Sequence, residues 1–470
     1  MRKWTRRSRA TAAALALVLG SGLLAGCADS QAGKPGKPDN KITVWSLENL
    51  PDRMEASKKV VHRFEQRSGI DVELVGVAEN QLPQLIMSAA AAGNLPDVIG
   101  AIPMGQVWQM HGNGLLNTEV TTDLVRKLGK GTFDENALRL TADGGAQLAV
   151  PSDAWLQILV YRKDLLKKAG LPVPDTYDKM LRAAEKLDTR GQNGAAVATD
   201  PGDVFTQQSF ESVALANDCQ LVDGQGEIRL SSPACRTAFD AYNALGGEHG
   251  AAGTQTVDST RATYFSGKAP MLLWSSFVLD ELAGLRKDAL PSCPQCTKEG
   301  GRYLSDRSGI VTSLRGPDAE EPAQFGEITS WAVTRSAETG ASRKFIEYMM
   351  NTGYADWFGM SPEGKIPVRG GTADDPRKFE RAWRDSSVGV DKKKPMNEVF
   401  RPELLDQLTE AVGRMKRWGI EQGEGVLVGA TNGELPVPKT IGAMTSGQTE
   451  PGEAAREAAD EVSALQKSLQ

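Results

Sequence analysis

An α/β fold in two lobes is predicted by three observations. Residues 41–102 read as strand, helix, strand, helix, strand, which implies a parallel sheet with helices on both faces. A second run of strand and helix begins near Pro151. The roughly 440 residues left after a removable leader also exceed one ordinary hydrophobic core.

The elements follow in chain order. "MRKWTRRSRA" carries five basic residues and no acid, and "TAAALALVLGSGLLAG" continues as an apolar middle with small residues. That is a secretory leader, residues 1–26, rather than a fold element. It is too short and too interrupted by glycine for a membrane span. Its ending, Leu24-Ala25-Gly26-Cys27, resembles a bacterial lipobox, which implies cleavage before Cys27 and lipidation of its thiol, palmitate included. Acyl chains contribute about 0.8 kcal/mol per buried CH₂, so several hold a protein at a membrane face. Residues 27–40, "CADSQAGKPGKPDN", are polar, rich in Gly and Pro, and read as a flexible tether.

"KITVWSLENL" opens the body as a short strand. "ASKKVVHRFEQRSG" then sets Ala56, Val60, Val61 and Phe64 on one helical face and stops at Gly69. "IDVELVGV" alternates as a strand, "PQLIMSAAAAG" is a helix ending at Gly93, and "DVIGAI" is a third strand. Ligands of such sheets sit beyond the carboxyl ends of the strands, which nominates Trp45, Ser46 and Glu48 and the stretch from Ile102 to Trp108. Past Pro151, "LQILVY" is a strand and "RKDLLKKAG" a short helix closed by Gly170. "PDTYDKMLRAAEKL" is a helix capped by Thr176. The closing "PGEAAREAADEVSALQKSLQ" lines up Ala455, Ala458, Val462, Leu465 and Leu469 as a packed stripe.

Without the leader's five positive charges, 49 basic residues face 60 acidic ones, a net charge near −11 that argues against a nucleic-acid partner. Beyond Cys27 stand Cys219, Cys235, Cys293 and Cys296. An even count in an exported chain suggests two disulfides; three pairings are possible, and local pairing (219 with 235, 293 with 296) is preferred. "CPQC" also has the Cys-x-x-Cys spacing of redox enzymes, but with no strand before it and no helix expected after it, a structural staple is the better reading. His62, His111 and His249 are scattered, so neither a zinc site nor a histidine-based triad is supported, and no cofactor is expected.

Taken together, several segments resemble the extracellular solute-binding proteins of the maltose/multiple-sugar type (family 1), the capture component of ABC importers. "AAGNLPDVI" is similar to that family's Gly-x-x-Pro-Asp-Val segment, and "GNGLLNT" to the Gly-Leu-Leu stretch after it. "VPSDAWLQILVYRKDLLKKAGLPVPDTYDKM" resembles its hinge-crossing strand and helix pair, and "ATYFSGKAPMLLWSSF" its Phe-x-x-Gly-Lys-x-x-Met element. "SWAVTRSAETGASRKFIEYMM", "GKIPVRGG" and "IGAMTSGQTEPGEAAREAADEV" resemble the return strand, the third crossing and the closing helix. Tyr161-Arg162, Pro270 and Lys179 depart from the family's usual residues, which leaves the solute open.

The resemblance implies a two-lobed periplasmic-binding-protein-like fold (type II). One lobe would hold 41–152 and 329–367, the other 153–328 and 368–470. The expected protein is a monomeric, lipid-anchored receptor on the extracytoplasmic face of the cell membrane, without catalysis. It would close on a sugar or oligosaccharide and deliver it to permease subunits. The alternatives are a receptor for another solute and, further off, an exported carbohydrate-active enzyme working through paired carboxylates such as Glu48 and Asp153.

A sugar offers an apolar C–H face for stacking and a hydroxyl rim for hydrogen bonds. By position, Trp45, Trp155, Trp274, Trp331 and Trp357 are expected to stack, with Phe277 a second choice beside Trp274. Glu48, Asp153, Asp258, Arg369 and Ser330 are expected to make polar contacts. Trp383 and Trp418 should pack, and Asp97 should support its turn.

Overall fold

The computed structural model describes residues 40–299 and 302–470, so the leader and the Cys27 thiol lie outside the described residues. Nine strands form one sheet: β1 (Lys41–Ser46), β2 (Asp71–Gly76), β3 (Val98–Pro103), β4 (Val150–Arg162), β5 (Met271–Ser275), β6 (Ser308–Val311), β7 (Gln324–Val333), β8 (Ile366–Pro367) and β9 (Met415–Lys416). The main order is β8-β4-β7-β3-β1-β2, with β5 and β6 pairing β4, and β9 pairing β7. β1 runs parallel to β2 and β3 as the alternating text predicts, whereas β7 returns antiparallel to β3.

The helices between these strands begin and end where local chemistry requires. α1 (Pro51–Ser68) buries Val60, Val61 and Phe64 and stops at Gly69, whose φ of 69° a side chain would strain. α2 (Leu82–Ala92) ends the same way at Gly93, and α3 (Met104–Gly112) leaves directly from β3. At that junction the β3–β7 register shifts between Ile99 and Ile102, and Ala101 takes a φ of 56°. Such a bulge turns the chain and re-aims the side chains beyond it. α4 (Tyr177–Leu187) has the anticipated cap: Thr176 Oγ1 accepts from the Lys179 amide.

β4 is longer than "LQILVY" suggests. Its thirteen residues are all buried, because they have partners over their whole length: Val150–Leu156 pair with β7, and Gln157–Arg162 with β5 and β6. A strand covered on both faces loses the polar alternation that marks its ends. The same backbone thus belongs to two neighbourhoods, one around β1–β3 and one around β5–β6.

α5 (Val204–Ala216) crosses the second neighbourhood and is buried on nearly every side. α6 (Gly425–Glu434) lies against α3 at very short range. A Cβ on Gly425 would stand 2.3 Å from the Trp108 ring, and one on Gly429 2.5 Å from the Gln109 backbone nitrogen. α7 (Pro451–Ser468) buries Ala455, Ala458 and Val462, but Leu469 lies past its end and is exposed.

Both cysteine pairs are local, Cys219 with Cys235 and Cys293 with Cys296. One expectation is corrected here: a six-residue helix, Pro294–Glu299, does follow Cys293. Among the described residues no helix is long and apolar enough to cross a membrane, and no group of His, Cys, Asp and Glu could hold a metal ion.

Candidate functional site

Two buried charge networks and one open cavity meet beyond the carboxyl ends of β1, β2 and β3. The first network is centred on Lys365, just before β8. Its ammonium lies 2.7 Å from Glu48 Oε1, 2.7 Å from Asp153 Oδ1, and 4.4 Å from the centre of the Trp357 ring. Glu48 Oε2 also accepts from Arg53 at 3.0 Å. Asp153 accepts in addition from Thr329 Oγ1 (2.9 Å), the Trp357 indole (2.9 Å) and the Ser152 hydroxyl. Burial alone would raise the Glu48 carboxyl, but Lys365 and Arg53 outweigh it and bring it down to about 2. Burial would likewise lower the Lys365 pKa, but Asp153 and Glu48 together hold it above the usual lysine value. Every charge in this group has a fixed partner.

The second network includes Glu327, two residues before Thr329 on β7. Arg417 donates to Glu211 at 2.9 Å and to Glu327 at 2.8 Å, all three being buried. Glu327 Oε1 accepts from the Met104 amide at 2.7 Å, so this carboxylate caps the amino end of α3, where the helix dipole favours negative charge. Burial pushes Glu211 up to about 7 against the pull of Arg417.

Between the networks opens a cavity of about 320 Å³. Glu79, Pro83, Gln84 and Met87 wall it from beyond β2 and along α2, and Gln106 and Gln109 from α3. Gly202, Val204, Asn432 and Glu434, around the start of α5 and the end of α6, wall the opposite side. Gln106 is only 3% exposed, yet its Oε1 has no hydrogen-bond partner. Asn432 is held by the Gln207 amide, whose own Oε1 is also unpartnered. Glu79 is pushed up to about 7 by the surrounding protein mass and by the negative charges of Glu327, Asp203 and Glu48. The residue keeps contact with water, so those three charges are the firmer cause.

The residues nominated from the sequence fall into three groups. Glu48, Asp153 and Trp357 come together around Lys365, with their polar atoms already engaged by protein. Trp331 and Ser330 are buried in β7. The Trp331 ring is packed on Trp357 and Phe345, against Gly100, where a Cβ would stand 2.3 Å away. Trp155 is buried against Phe325, and Trp274 against Phe205 with its indole donating to the Val257 carbonyl at 3.0 Å. Arg369 is placed away from any cleft. Its guanidinium is buried and donates to Thr132, Asn351 and the carbonyls of Leu128 and Met350. Asp258 is exposed and pairs with Arg261 one helical turn on.

Trp45 and Phe277 remain half-buried. Phe277 lies 4.5 Å beneath the Arg53 guanidinium and against Gly364, where any Cβ would collide with its ring. Asp97, expected to support its turn, accepts from the amides of Thr43 and Glu338. Trp383 and Trp418 are buried, as expected.

Lys365, Arg417, Glu327 and Glu79 were not singled out from the sequence, whereas Gln106 lies within the nominated stretch from Ile102 to Trp108. Glu79 was within reach of the carboxyl-end rule, since it stands just beyond β2, but the rule was applied only to β1 and β3. Lys365 stood in "GKIPVRGG" as an ordinary basic residue, and nothing local says that it is buried.

A cavity beyond the carboxyl ends of a parallel sheet is where proteins of this fold class take up ligands. Residues 59–383 match the bacterial extracellular solute-binding protein family, and the chain belongs to it. Among curated relatives, YcjN of Escherichia coli (strain K12), named as a putative ABC transporter periplasmic-binding protein, is 27% identical over 428 residues, covering 88% of this chain and 91% of the relative. Among solved structures, maltose-bound MalE3 of T. maritima superposes with a TM-score of 0.67 at 18% identity, covering 90% of this chain and 99% of that one. A sugar transporter component of Arthrobacter chlorophenolicus A6 with bound laminaribiose gives 0.69 at 17% identity, with 90% and 99% coverage. The fold is therefore that of the two-lobed binding proteins.

Proposed function

We propose that this chain captures a sugar or oligosaccharide outside the cell membrane, held there by lipid on Cys27, and passes it to the permease of an ABC importer. The observation that carries this reading is the cavity of about 320 Å³ walled by α2 and α3 and by the start of α5 and the end of α6. It mixes the Met87, Pro83 and Val204 surfaces with amide and carboxylate side chains, the combination a polyhydroxylated ring requires. We assign Glu79, Gln106 and Asn432 to the polar contacts, and Trp45 and Phe277 to stacking nearer the crossing. The Lys365 and Arg417 networks set the shape of the walls. In this reading the lobes are 41–152 with 329–367, and 153–328 with 368–470. The contact of Arg53 on Phe277 is then one that forms when they close. Ligand shifts the open–closed balance only through contacts that both lobes make at once.

Calorimetry of the full-length protein against a panel of mono- and oligosaccharides tests this. Binding with unchanged sugar is expected. Binding confined to peptides or inorganic ions would replace the solute class, and release of shorter sugars would make the chain an enzyme. Anchoring is tested separately: Cys27→Ser should move the protein from the membrane fraction to the soluble one.

A further inference from the structure

The cavity wall carries two carboxylates, Glu79 and Glu434, and no Lys, Arg or His. The nearby acids differ in kind. Glu48 and Asp153 share Lys365, and Glu211 and Glu327 share Arg417. Asp203 accepts from the Phe205 amide as the cap of α5. Glu79 has no ion pair and no hydrogen bond from any cationic side chain among the described residues, though Glu48, Glu327 and Asp203 all act on it electrostatically. Lys439 reaches the backbone oxygen of Glu434 and is not part of the wall.

A second, independent feature points the same way. Gln106, buried in the same wall, leaves its carbonyl oxygen without a donor. A buried acceptor left unmade costs about 1–3 kcal/mol, so its persistence in a wall of further acceptors calls for a donor from outside the chain. A neutral sugar brings hydroxyl donors but no charge. An ammonium brings three donors and the positive charge that this wall lacks.

Resting on the sugar-receptor reading above, we infer that the cavity selects a sugar bearing a protonated amine, with Glu79 as its counter-ion and Gln106 Oε1 as a second acceptor. The hydroxyl rim then falls to Asn432 and Gln109, and the C–H face to Met87 and Val204.

Matched pairs of sugars test this by calorimetry on the full-length protein: glucose with glucosamine, galactose with galactosamine, mannose with mannosamine, and cellobiose with its diamino counterpart. Each amino sugar is also run in its N-acetylated form. For at least one pair the amine should bind about tenfold or more tightly than both its neutral and N-acetylated partners, as a charge-assisted bond implies. Glu79→Gln should bring that pair to parity, and Gln106→Leu should weaken the amine several-fold. Neutral sugars binding as tightly as amines would overturn this inference alone and leave the sugar receptor standing. An amine preference unaltered by Glu79→Gln would also overturn it. Binding of no sugar in any form would bring down both readings.

Discussion

The Lys365 group and the Glu79 wall both draw on carboxylates and amide or hydroxyl partners, yet they are opposites. Around Lys365 each carboxylate has a cation within 2.7–3.0 Å and no water-facing surface to speak of. Around Glu79 the carboxylates outnumber the cations and the side chain meets solvent. The first arrangement holds crossings of the chain together; the second leaves valence open for something the chain does not supply. Charge in a cleft is therefore informative only after its internal partners have been counted.

The largest test of that contrast is removal of Lys365. Lys365→Met leaves Asp153 buried without its cation and Glu48 with Arg53 alone, and should cost about 3–5 kcal/mol in urea unfolding. Adding Glu48→Gln and Asp153→Asn should restore much of it, because the loss comes from unpaired charge rather than from missing attraction. Trp357→Phe removes one hydrogen bond to Asp153 and keeps most of the ring packing on Trp331, for about 1–2 kcal/mol. Glu79→Gln should not destabilise the fold, because the residue has no partner to lose, and near neutral pH it should stabilise it by removing the repulsion from Glu327, Asp203 and Glu48. A large destabilisation there would make Glu79 part of the framework.

The pH dependence should separate the two regions by sign. Glu48 is held down at about 2, so its contribution is fully present above the ordinary carboxylate range and is lost as pH falls from about 4.5 towards 2. Glu79 is raised to about 7, so the folded protein binds more protons than the unfolded chain between about 4.5 and 7, and stability declines as pH rises through that window. Glu79→Gln should reduce the near-neutral slope of melting temperature against pH, leaving the part that Glu211 contributes, and should leave the acid limb unchanged. Conversely, the Lys365→Met, Glu48→Gln, Asp153→Asn combination should flatten the acid limb. Both slopes unchanged would mean that neither carboxyl carries its assigned role.

The elements of the first half were legible because each rests on local signals. Gly69, Gly93 and Gly170 end helices in the left-handed conformation, Thr176 caps one, and the strand–helix alternation gives a parallel sheet. Cysteine spacing gave the local disulfides for the same reason. The site was read only in part. Tryptophans suit stacking on sugars, but Trp331 and Trp357 also suit each other, and the choice depends on what stands opposite, here Gly100 and Phe345 from distant parts of the chain. Arg369 likewise looks like a cleft cation in sequence. It becomes a staple only because the carbonyls of Leu128 and Met350 converge on it. Whether a charge is spent internally is a long-range property, and one chain without its fold does not disclose it.

β4 limits how such a protein can move. Its thirteen residues hydrogen-bond to β7 at one end and to β5 and β6 at the other. The two halves of the molecule cannot slide past each other without breaking one ladder. A twist of β4 near Leu156 and Gln157, where the two ladders meet, would turn one neighbourhood of strands against the other and leave both ladders whole.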